Sequence, residues 1–230
     1  MCGRFTLTSN SDELQGRFGF LSEFADSAFS DHGPRYNIAP SQIAPVIRLE
    51  DGGSGMLLDD MTWGLIPSWG KIAPKGSGQI NARSETAAEK PMFRSAYRRR
   101  RCLIPADGFY EWQKMEGHKQ PYWISRIDGT PFVFAGLWEK WGHSHSTEVV
   151  SFAILTTEAS EELHPIHHRM PVILEPTEFD AWLDPEKTPQ TELFKPEHAP
   201  RMKARPVSHR VNSPRNDDDA CMAEVRKTPT

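Results

Sequence analysis

The fold is decided by the stretch PYWISRIDGTPFVFAGLW, residues 121–138. Residues 121–127 and 131–138 alternate apolar and polar side chains on either side of Asp128-Gly129. Alternation with a period of two is typical of strands, and Asp-Gly between two such runs is typical of a tight turn. The stretch therefore predicts a β-hairpin, and it is the strongest hairpin signal in the chain.

Further short strands are predicted on both sides of this hairpin. They are 44–49 and 55–65 around a turn at 51–53, then 102–105, 109–113, 149–156 and 171–174. Helical segments are predicted from Ser11, over 86–101, over 158–163 and from Glu175 to Trp182. Neither a βαβ rhythm nor a repeat is present, so we expect an α+β fold with an antiparallel, β-rich, barrel-like core and a few peripheral helices.

The chain contains no linker-like break that would divide it. With 230 residues, of which 37% are hydrophobic and 25% charged, it is long enough to bury a core. We predict a single domain over residues 1–212. Residues 213–230 are polar and are expected to form a mobile tail.

The formal net charge of −4 argues against a protein that coats nucleic acid by bulk charge. A local basic groove is still compatible with this value. The run from Arg98 to Arg101 could line such a groove, or it could be the solvated face of a helix. Both interpretations stay open at this point.

The cysteine count and the N-terminus indicate the compartment. The three cysteines, Cys2, Cys102 and Cys221, are too few and too sparse for a disulfide framework, which suits a reducing environment. The N-terminus lacks the basic and apolar regions of a signal peptide, and no apolar run approaches the length of a membrane span. We therefore expect a cytoplasmic protein without membrane contact.

Cys2 has distinctive chemistry because of its position. Removal of Met1, which is usual before a small residue, would give Cys2 a free α-amine beside its thiol. An α-amine has an ordinary pKa of about 7.7–8.0, against about 10.4 for lysine, so it can attack an aldehyde near neutral pH. The thiol can then close a five-membered ring on the resulting imine. The alternative is that a cysteine at position 2 is an accident of sequence.

Two other places carry groups suited to proton transfer. Glu111 lies between Tyr110 and Trp112, and a carboxyl packed among aromatic rings has its pKa raised by desolvation. His167 lies in a histidine-rich turn with His164 and His168. Because there is neither an HExxH motif nor a cysteine pair, we predict no metal site there.

Seven blocks of sequence, in order, carry a family resemblance. They are MCGRF (1–5), RYNIAP (35–40), WGLIPSW (63–69), INARSET (80–86), CLIPADGFYEW (102–112), IHHRMP (166–171) and PVS with VN (206–208 and 211–212). Together they make the chain resemble the SRAP family, the SOS response-associated peptidases. The likeness extends from about residue 2 to residue 212.

The resemblance implies roles for residues that lie far apart in the chain. It implies that Cys2, Asn81, Glu111 and His167 form the catalytic site. It also implies a DNA-binding groove, whose candidate residues are Arg4, Tyr36, Asn37, Pro40, Trp69, Arg83, Met92-Phe93 and Arg169. Of these, Arg83 and Arg169 would contact phosphates, whereas plain core packing is the alternative for the aromatic and small residues. Gly70 and Pro91 depart from residues that some relatives carry at this groove.

The function implied is capture of DNA damage. Cys2 would form a covalent thiazolidine crosslink with an abasic site in single-stranded DNA, with weak lyase activity and self-processing that removes Met1. The expected protein is a monomer that needs no cofactor, takes abasic single-stranded DNA as its partner and joins the nucleoid when bound. Two alternatives are a thiol peptidase acting on other proteins and a non-covalent module that binds single-stranded DNA or a modified base.

Overall fold

A computed structural model describes residues 2–19, 33–50, 55–70, 77–142 and 148–225. The strands in this part of the chain are β1 (Phe5–Leu7), β2 (Arg35–Ile38), β3 (Ile43–Leu49), β4 (Met56–Trp63), β5 (Asn81–Arg83), β6 (Arg101–Ala106), β7 (Gly108–Lys114), β8 (Lys119–Arg126), β9 (Phe132–Trp141), β10 (Val149–Glu158), β11 (Arg169–Pro171), β12 (Ile173–Leu174) and β13 (Met202–Pro206). The α-helices are α1 (Ser11–Phe18), α2 (Ser84–Ala87), α3 (Arg94–Arg99) and α4 (Phe179–Leu183). Among the residues described, no helix is both long and apolar enough to cross a membrane.

Five strands close into a barrel. They pair in the order β10, β4, β3, β6 and β9, and β9 returns to pair with β10. Of these pairings only β10–β4 is parallel. Closure leaves no exposed edge between these five strands. The barrel-like α+β fold predicted from the sequence is thereby confirmed.

Aromatic side chains fill the core beside this barrel. Trp63 of β4 stacks on Phe152 of β10 with ring centroids 6.2 Å apart. Phe5 of β1 packs edge-on against both Trp63 and Phe134. All four side chains are fully buried. Burial of apolar area on this scale is the main source of stability for such a fold.

A second, antiparallel sheet covers the barrel. Its strands run in the order β13, β8, β7, β1 and β2. β1 lies between β7, where Phe5 pairs with Phe109, and β2, where Phe5 pairs with Ile38. The first residues of the chain are therefore held inside a sheet and not at its edge.

The hairpin predicted over residues 121–138 is wrong. β8 pairs with β7 and β13, whereas β9 pairs with β6, β10 and β12. The turn at Asp128-Gly129 does form, with Gly129 at a φ of 75°, but it carries the chain from the second sheet into the barrel. A tight turn constrains only its own residues, while strand partners are chosen by packing over the whole fold.

A similar crossing occurs between β6 and β7. β6 belongs to the barrel and β7 to the second sheet, with only Asp107 between them. The Asp107 carboxylate accepts hydrogen bonds from the Thr8 hydroxyl at 2.9 Å and from the Ser9 amide at 3.1 Å. These bonds connect the crossing to the residues that follow β1.

The other predicted elements are mostly present. β3 and β4 form the antiparallel pair predicted around residues 51–53, although that turn lies outside the described residues. The helix predicted over residues 86–101 is replaced by α2 and α3 with turns between them. Pro91 lies in the connecting segment, and a proline in a helix interior removes a hydrogen bond and clashes with the preceding turn.

Residues 213–225, expected to belong to a mobile tail, are instead bonded to the rest of the fold. Asp217 holds them against β2, since it accepts hydrogen bonds from the amides of Tyr36 (2.6 Å) and Asn37 (2.8 Å) and pairs with Arg35 at 2.5 Å. Further on, the amide of Val225 donates to the carbonyl of Pro206 at 3.1 Å. Cys221 is fully buried. A polar composition predicted mobility, but these polar groups bond to main-chain atoms. The boundary of the single domain at residue 212 stays a prediction.

Candidate functional site

Cys2 is held at the beginning of the second sheet. The amide of Tyr110 on β7 donates to the carbonyl of Arg4 at 2.9 Å, which continues the β1–β7 ladder toward the N-terminus. The Cys2 side chain is fully buried, and its thiol points toward the carbonyl oxygen of Arg4 at 3.7 Å. Residue 2 therefore has a defined place in the fold.

Asn81 reaches Cys2 from the barrel. It begins β5, which pairs in parallel with β10 and sets Asn81 beside Ile154. Its Nδ2 donates to the carbonyl oxygen of Cys2 at 2.9 Å. Its Oδ1 is buried and has no hydrogen-bond partner among the described residues. Because buried polar atoms are normally paired, this oxygen is available to accept a hydrogen bond from a bound molecule.

Glu111 lies on β7 opposite Tyr122 and is 3% exposed. Burial raises the pKa of Glu111 above its ordinary value of 4.5. Burial also raises the pKa of the Cys2 thiol well above its ordinary value, and the negative charge of Glu111 raises it further. Both effects favour the protonated forms, so the resting thiol is neutral.

His167 completes the cluster just before β11. Its Nδ1 lies 3.9 Å from Glu111 Oε1 and accepts a hydrogen bond from the Arg169 amide at 3.0 Å. Burial lowers the pKa of His167 below its ordinary value of 6.5. The same Nδ1 lies 3.1 Å from the Arg169 carbonyl oxygen, so it can accept from the amide or donate to the carbonyl, according to which ring nitrogen carries the proton. The ring also stacks on that of His168 with centroids 4.5 Å apart.

The four residues predicted to be catalytic thus meet at one place. Asn81 bonds to Cys2, the charge of Glu111 acts on Cys2, and Glu111 faces His167. They come from four segments that are distant in sequence. Nowhere in the described ranges do three or more His, Cys, Asp or Glu side chains form a group suited to a metal ion. The cluster is suited to proton transfer around a nucleophile at residue 2.

The two predicted phosphate contacts differ in exposure. Arg83 is exposed and lines a cavity of about 300 Å³ together with His168. Arg169 is buried, and its guanidinium forms a two-pronged bond with Glu85 at 2.5 and 2.9 Å and a third bond with the Thr156 carbonyl at 2.6 Å. Arg169 lines the same cavity as Arg83, although Glu85 and Thr156 already occupy donors of its guanidinium.

Two residues predicted to line the groove have other roles. Asn37 is fully buried, and its Nδ2 donates to the carbonyls of Val211, Ser213 and Asn216. Phe93 is 5% exposed and belongs to the core. Both side chains are therefore packed inside the protein, and their place in a DNA groove stays a prediction.

The remaining groove candidates reach the surface to different extents. Trp69 is 62% exposed, the largest exposure of a tryptophan among the described residues. Tyr36 and Pro40 are half-buried. The carbonyl of Gly70, next to Trp69, accepts a hydrogen bond from Trp141 Nε1 at 2.5 Å, so the main chain here is fixed. Trp69 is the candidate best placed to meet a ligand.

Arg4 lines a cavity of about 550 Å³ that the sequence did not indicate as a unit. Its other lining residues are Trp112, His118, Lys119, His209 and Asn212. The Arg4 guanidinium lies 6.0 Å from the centre of the Trp112 ring, and Trp112 Nε1 donates to Asn212 Oδ1 at 2.7 Å. The one sequence signal for this cavity was that Trp112 is next to Glu111 on β7. The other lining residues come from separate segments.

Comparison with known proteins points to one family. A sequence model of the family described as SOS response associated peptidase (SRAP) matches residues 1–214. Abasic site processing protein YoqW of Bacillus subtilis is 40% identical over 221 residues, which cover 94% of this chain and 96% of YoqW. Abasic site processing protein YoaM of the same organism is 41% identical over 221 residues, covering 94% and 95% of the two chains.

A solved structure has a similar fold. The crystal structure of a protein from Bacteroides thetaiotaomicron superposes with a TM-score of 0.81 at 26% sequence identity. The similarity covers 98% of this chain and the whole of the other. The arrangement of barrel and second sheet is therefore shared along nearly the full length of both proteins.

Proposed function

Since this chain belongs to the SRAP family, we propose that it processes abasic sites in DNA and does so by covalent capture at Cys2. The names of the relatives YoqW and YoaM support abasic-site processing as the general activity. The observation that carries the proposal is the convergence of Asn81, Glu111 and His167 on residue 2. This clustering argues against the alternative that the cysteine at position 2 is an accident of sequence.

The first chemical requirement is a free α-amine on Cys2, which loss of Met1 supplies. The amine attacks the C1′ aldehyde of the ring-opened deoxyribose, and water leaves to give an imine. The thiol then adds to the imine carbon, its proton ends on nitrogen, and a five-membered thiazolidine results. The reaction balances without an oxidant, a reductant or a metal.

Glu111 is suited to serve both steps. Its raised pKa lets it bind a proton more readily than an exposed carboxyl does, and in the protonated form it can donate to the sugar oxygen as the ring opens. The carboxylate left behind can accept a proton from the buried thiol, whose pKa burial has also raised. One residue thus acts as an acid in the ring opening and as a base toward the thiol.

Asn81 and His167 would position the opened sugar. Asn81 fixes the main chain of Cys2 through Nδ2, and its buried Oδ1 can accept from a sugar hydroxyl. Burial lowers the pKa of His167 and so favours the neutral imidazole, one ring nitrogen of which can donate to the sugar. Single-stranded DNA is the expected substrate, because the sugar must be reached without the cost of unpairing. The imine stage also permits β-elimination, so we propose a weak lyase activity and removal of Met1 by the protein itself.

The same electrostatics argue against the rival peptidase mechanism. A thiol peptidase acts through a thiolate, which requires a lowered pKa. Here burial and Glu111 both raise the pKa of Cys2. Nucleophilic attack by the amine, followed by the thiol, fits this environment better than attack by a resting thiolate.

A denaturing gel with an abasic single-stranded oligonucleotide tests the proposal. We expect a covalent band whose intact mass equals the chain without Met1 plus the oligonucleotide, minus one water. Cys2→Ala and a variant with one extra residue ahead of Cys2 should give no band. Cys221→Ala, which removes a buried cysteine elsewhere, should crosslink normally. Equal bands from Cys2→Ala and the parent protein would sink the mechanism.

A further inference from the structure

A cavity of about 780 Å³ lies between α3 and the segment 184–189, which follows α4. Arg98 and Arg99 at the end of α3 line one wall, and Lys187 with Glu186 lines the other. The volume is within the range of sites that hold small molecules, roughly 300–1,000 Å³. It includes none of the residues assigned to the Cys2 site.

The lining of this cavity is basic. Four cations and one carboxylate line it, in a chain whose net charge is −4. Arg98 and Arg99 are both exposed, and neither forms an ion pair with a residue in the described ranges. Lys187 is paired with Asp184 at 3.1 Å. The two arginines therefore present unneutralised charge to the cavity.

Arg101 forms the floor and holds both walls in place. It is 3% exposed. Its guanidinium donates to the carbonyl of Tyr97 at 2.8 Å on the α3 side, and to those of Lys187 (2.9 Å), Trp182 and Asp184 on the other. The walls are thus tied to one buried group, and the cavity is preformed.

Arg101 also offsets the helix dipoles, which would otherwise disfavour an anion in this cavity. α3 and α4 both direct their C-termini toward this region, and the partial negative charge of a helix C-terminus repels anions. The carbonyls of Tyr97, Arg98 and Trp182, at those two ends, are all occupied by the Arg101 guanidinium. The charges of Arg98 and Arg99 are therefore not cancelled by the helix ends that carry them.

From this geometry we propose that the cavity is a phosphate-binding site in which Arg98 and Arg99 contact the ligand. Guanidinium groups match the oxygens of a phosphate in charge and in the fork of their donors. The run of arginines that the sequence left open between a groove and a solvated helix face is thereby assigned to a cavity.

Two sources can supply the phosphate, a free phosphorylated compound or the backbone of a DNA strand. Ala88, which also lines the cavity, is five residues from Arg83. Their Cα atoms are therefore at most roughly 19 Å apart. A strand passing Arg83 could reach the cavity within a few nucleotides, so both sources need an arm in the experiment.

The experiment compares two double variants that lose the same charge. Arg98→Gln/Arg99→Gln alters the cavity. Lys90→Gln/Arg94→Gln alters two exposed residues that do not line the cavity. Arg94 is the first residue of α3, and Lys90 lies four residues before it. Binding of pyrophosphate is measured by calorimetry. Binding of lesion-free oligothymidylates of about 2 and 12 nucleotides is measured by fluorescence anisotropy at several salt concentrations, on lengths chosen to fall short of and to span the reach from Arg83.

If DNA supplies the phosphate, the cavity variant should bind the longer oligonucleotide about tenfold more weakly, with the salt slope reduced by about 1.4, since each single-strand phosphate contact contributes about 0.7. The shorter oligonucleotide should bind equally well. If a free compound supplies it, pyrophosphate binding should be lost in the cavity variant alone. Identical behaviour of the two variants in every arm would overturn the site. Because no arm uses an abasic lesion or a covalent product, this result is separate from the outcome at Cys2.

Discussion

Asn81 Nδ2 donates to the carbonyl oxygen of Cys2 at 2.9 Å and so joins residue 2 to a strand 79 residues further along the chain. Asn81 itself is fixed by the parallel pairing of β5 with β10. The position of the reactive residue therefore depends on the barrel, and each element of the cluster can be tested separately.

Loss of the Asn81 side chain should slow capture without abolishing it. Asn81→Ala removes one hydrogen bond to Cys2, and a bond of about 1.4 kcal/mol corresponds to roughly a tenfold lower crosslinking rate. Single-turnover crosslinking of an abasic oligonucleotide measures this rate. Gln79→Ala, an exposed side chain two residues earlier, is the matched control and should react at the parent rate. Parent-like kinetics in Asn81→Ala would remove Asn81 from the mechanism.

Replacement of Glu111 should have a larger effect on rate. Glu111→Gln keeps the size of the side chain but cannot transfer a proton, and general acid–base catalysis contributes about 10²–10⁴-fold. We expect the crosslinking rate to fall by at least about 100-fold. Glu116→Gln, an exposed carboxyl beyond the end of β7, should leave the rate unchanged. A fall of less than threefold in Glu111→Gln would contradict the proposed role.

The same substitution should change the pH dependence of stability. The pKa of Glu111 in the folded protein lies above its ordinary value of 4.5, so the folded state favours the protonated form. The contribution of Glu111 to the free energy of unfolding is fully present below pH 4.5 and is lost as the pH rises through the pKa of the folded state. Relative to the parent, Glu111→Gln should be progressively more stable from pH 4 to pH 8 in urea titrations. A stability difference that does not vary with pH would contradict this environment.

The pair formed by Glu85 and Arg169 should show the opposite sign. Burial alone would raise the pKa of Glu85, but the hydrogen bond and charge of Arg169, a main-chain hydrogen bond and the charge of Arg83 together outweigh burial and leave the pKa below 4.5. The stabilisation is present above the ordinary pKa and is lost as the pH falls through the lowered one. Glu85→Gln should therefore differ most from the parent at neutral pH and converge with it in acid. Thermal melts from pH 2.5 to pH 7 test this, and divergence in acid would refute it.

The C-terminal segment should contribute to folding stability through Asp217. Asp217→Ala leaves the amides of Tyr36 and Asn37 without their acceptor and breaks the pair with Arg35. A loss of about 1–3 kcal/mol is expected for such unpaired groups. Urea unfolding measures it, with Asp219→Ala, an exposed aspartate in the same segment, as the control. Equal midpoints for the two variants would mean that the segment is not anchored there.

Local patterns predicted the strands well and their partners poorly. The alternation in residues 121–138 correctly indicated two strands with a turn at Asp128-Gly129, but the strands lie in different sheets. Alternation of apolar and polar residues indicates that a segment is a strand in a sheet, but it does not identify the strands that pair with it. β9 has nine of its ten residues buried because the barrel and its covering elements enclose both faces, and that enclosure is a property of the whole chain.

The candidate site was predicted unevenly for a similar reason. Cys2 and Glu111 carry chemistry that can be recognised from their position or their neighbours. Asn37 occurs in a block typical of the family and Phe93 was a groove candidate, yet they face the C-terminal segment and the core. The cavity lined by Arg4, Trp112 and His209 had no local signature beyond the adjacency of Trp112 to Glu111, because its members meet only when the sheets pack.

β1 lies in the interior of the second sheet, three residues from Cys2, with β2 and β7 bonded along its sides. Anything joined to Cys2 is therefore joined to the core through a tether of two residues. Tension applied there would be carried by β1, whose residues Phe5–Leu7 are paired with both β2 and β7. A chain captured at residue 2 would be mechanically fastened, and pulling it free would require unfolding the protein.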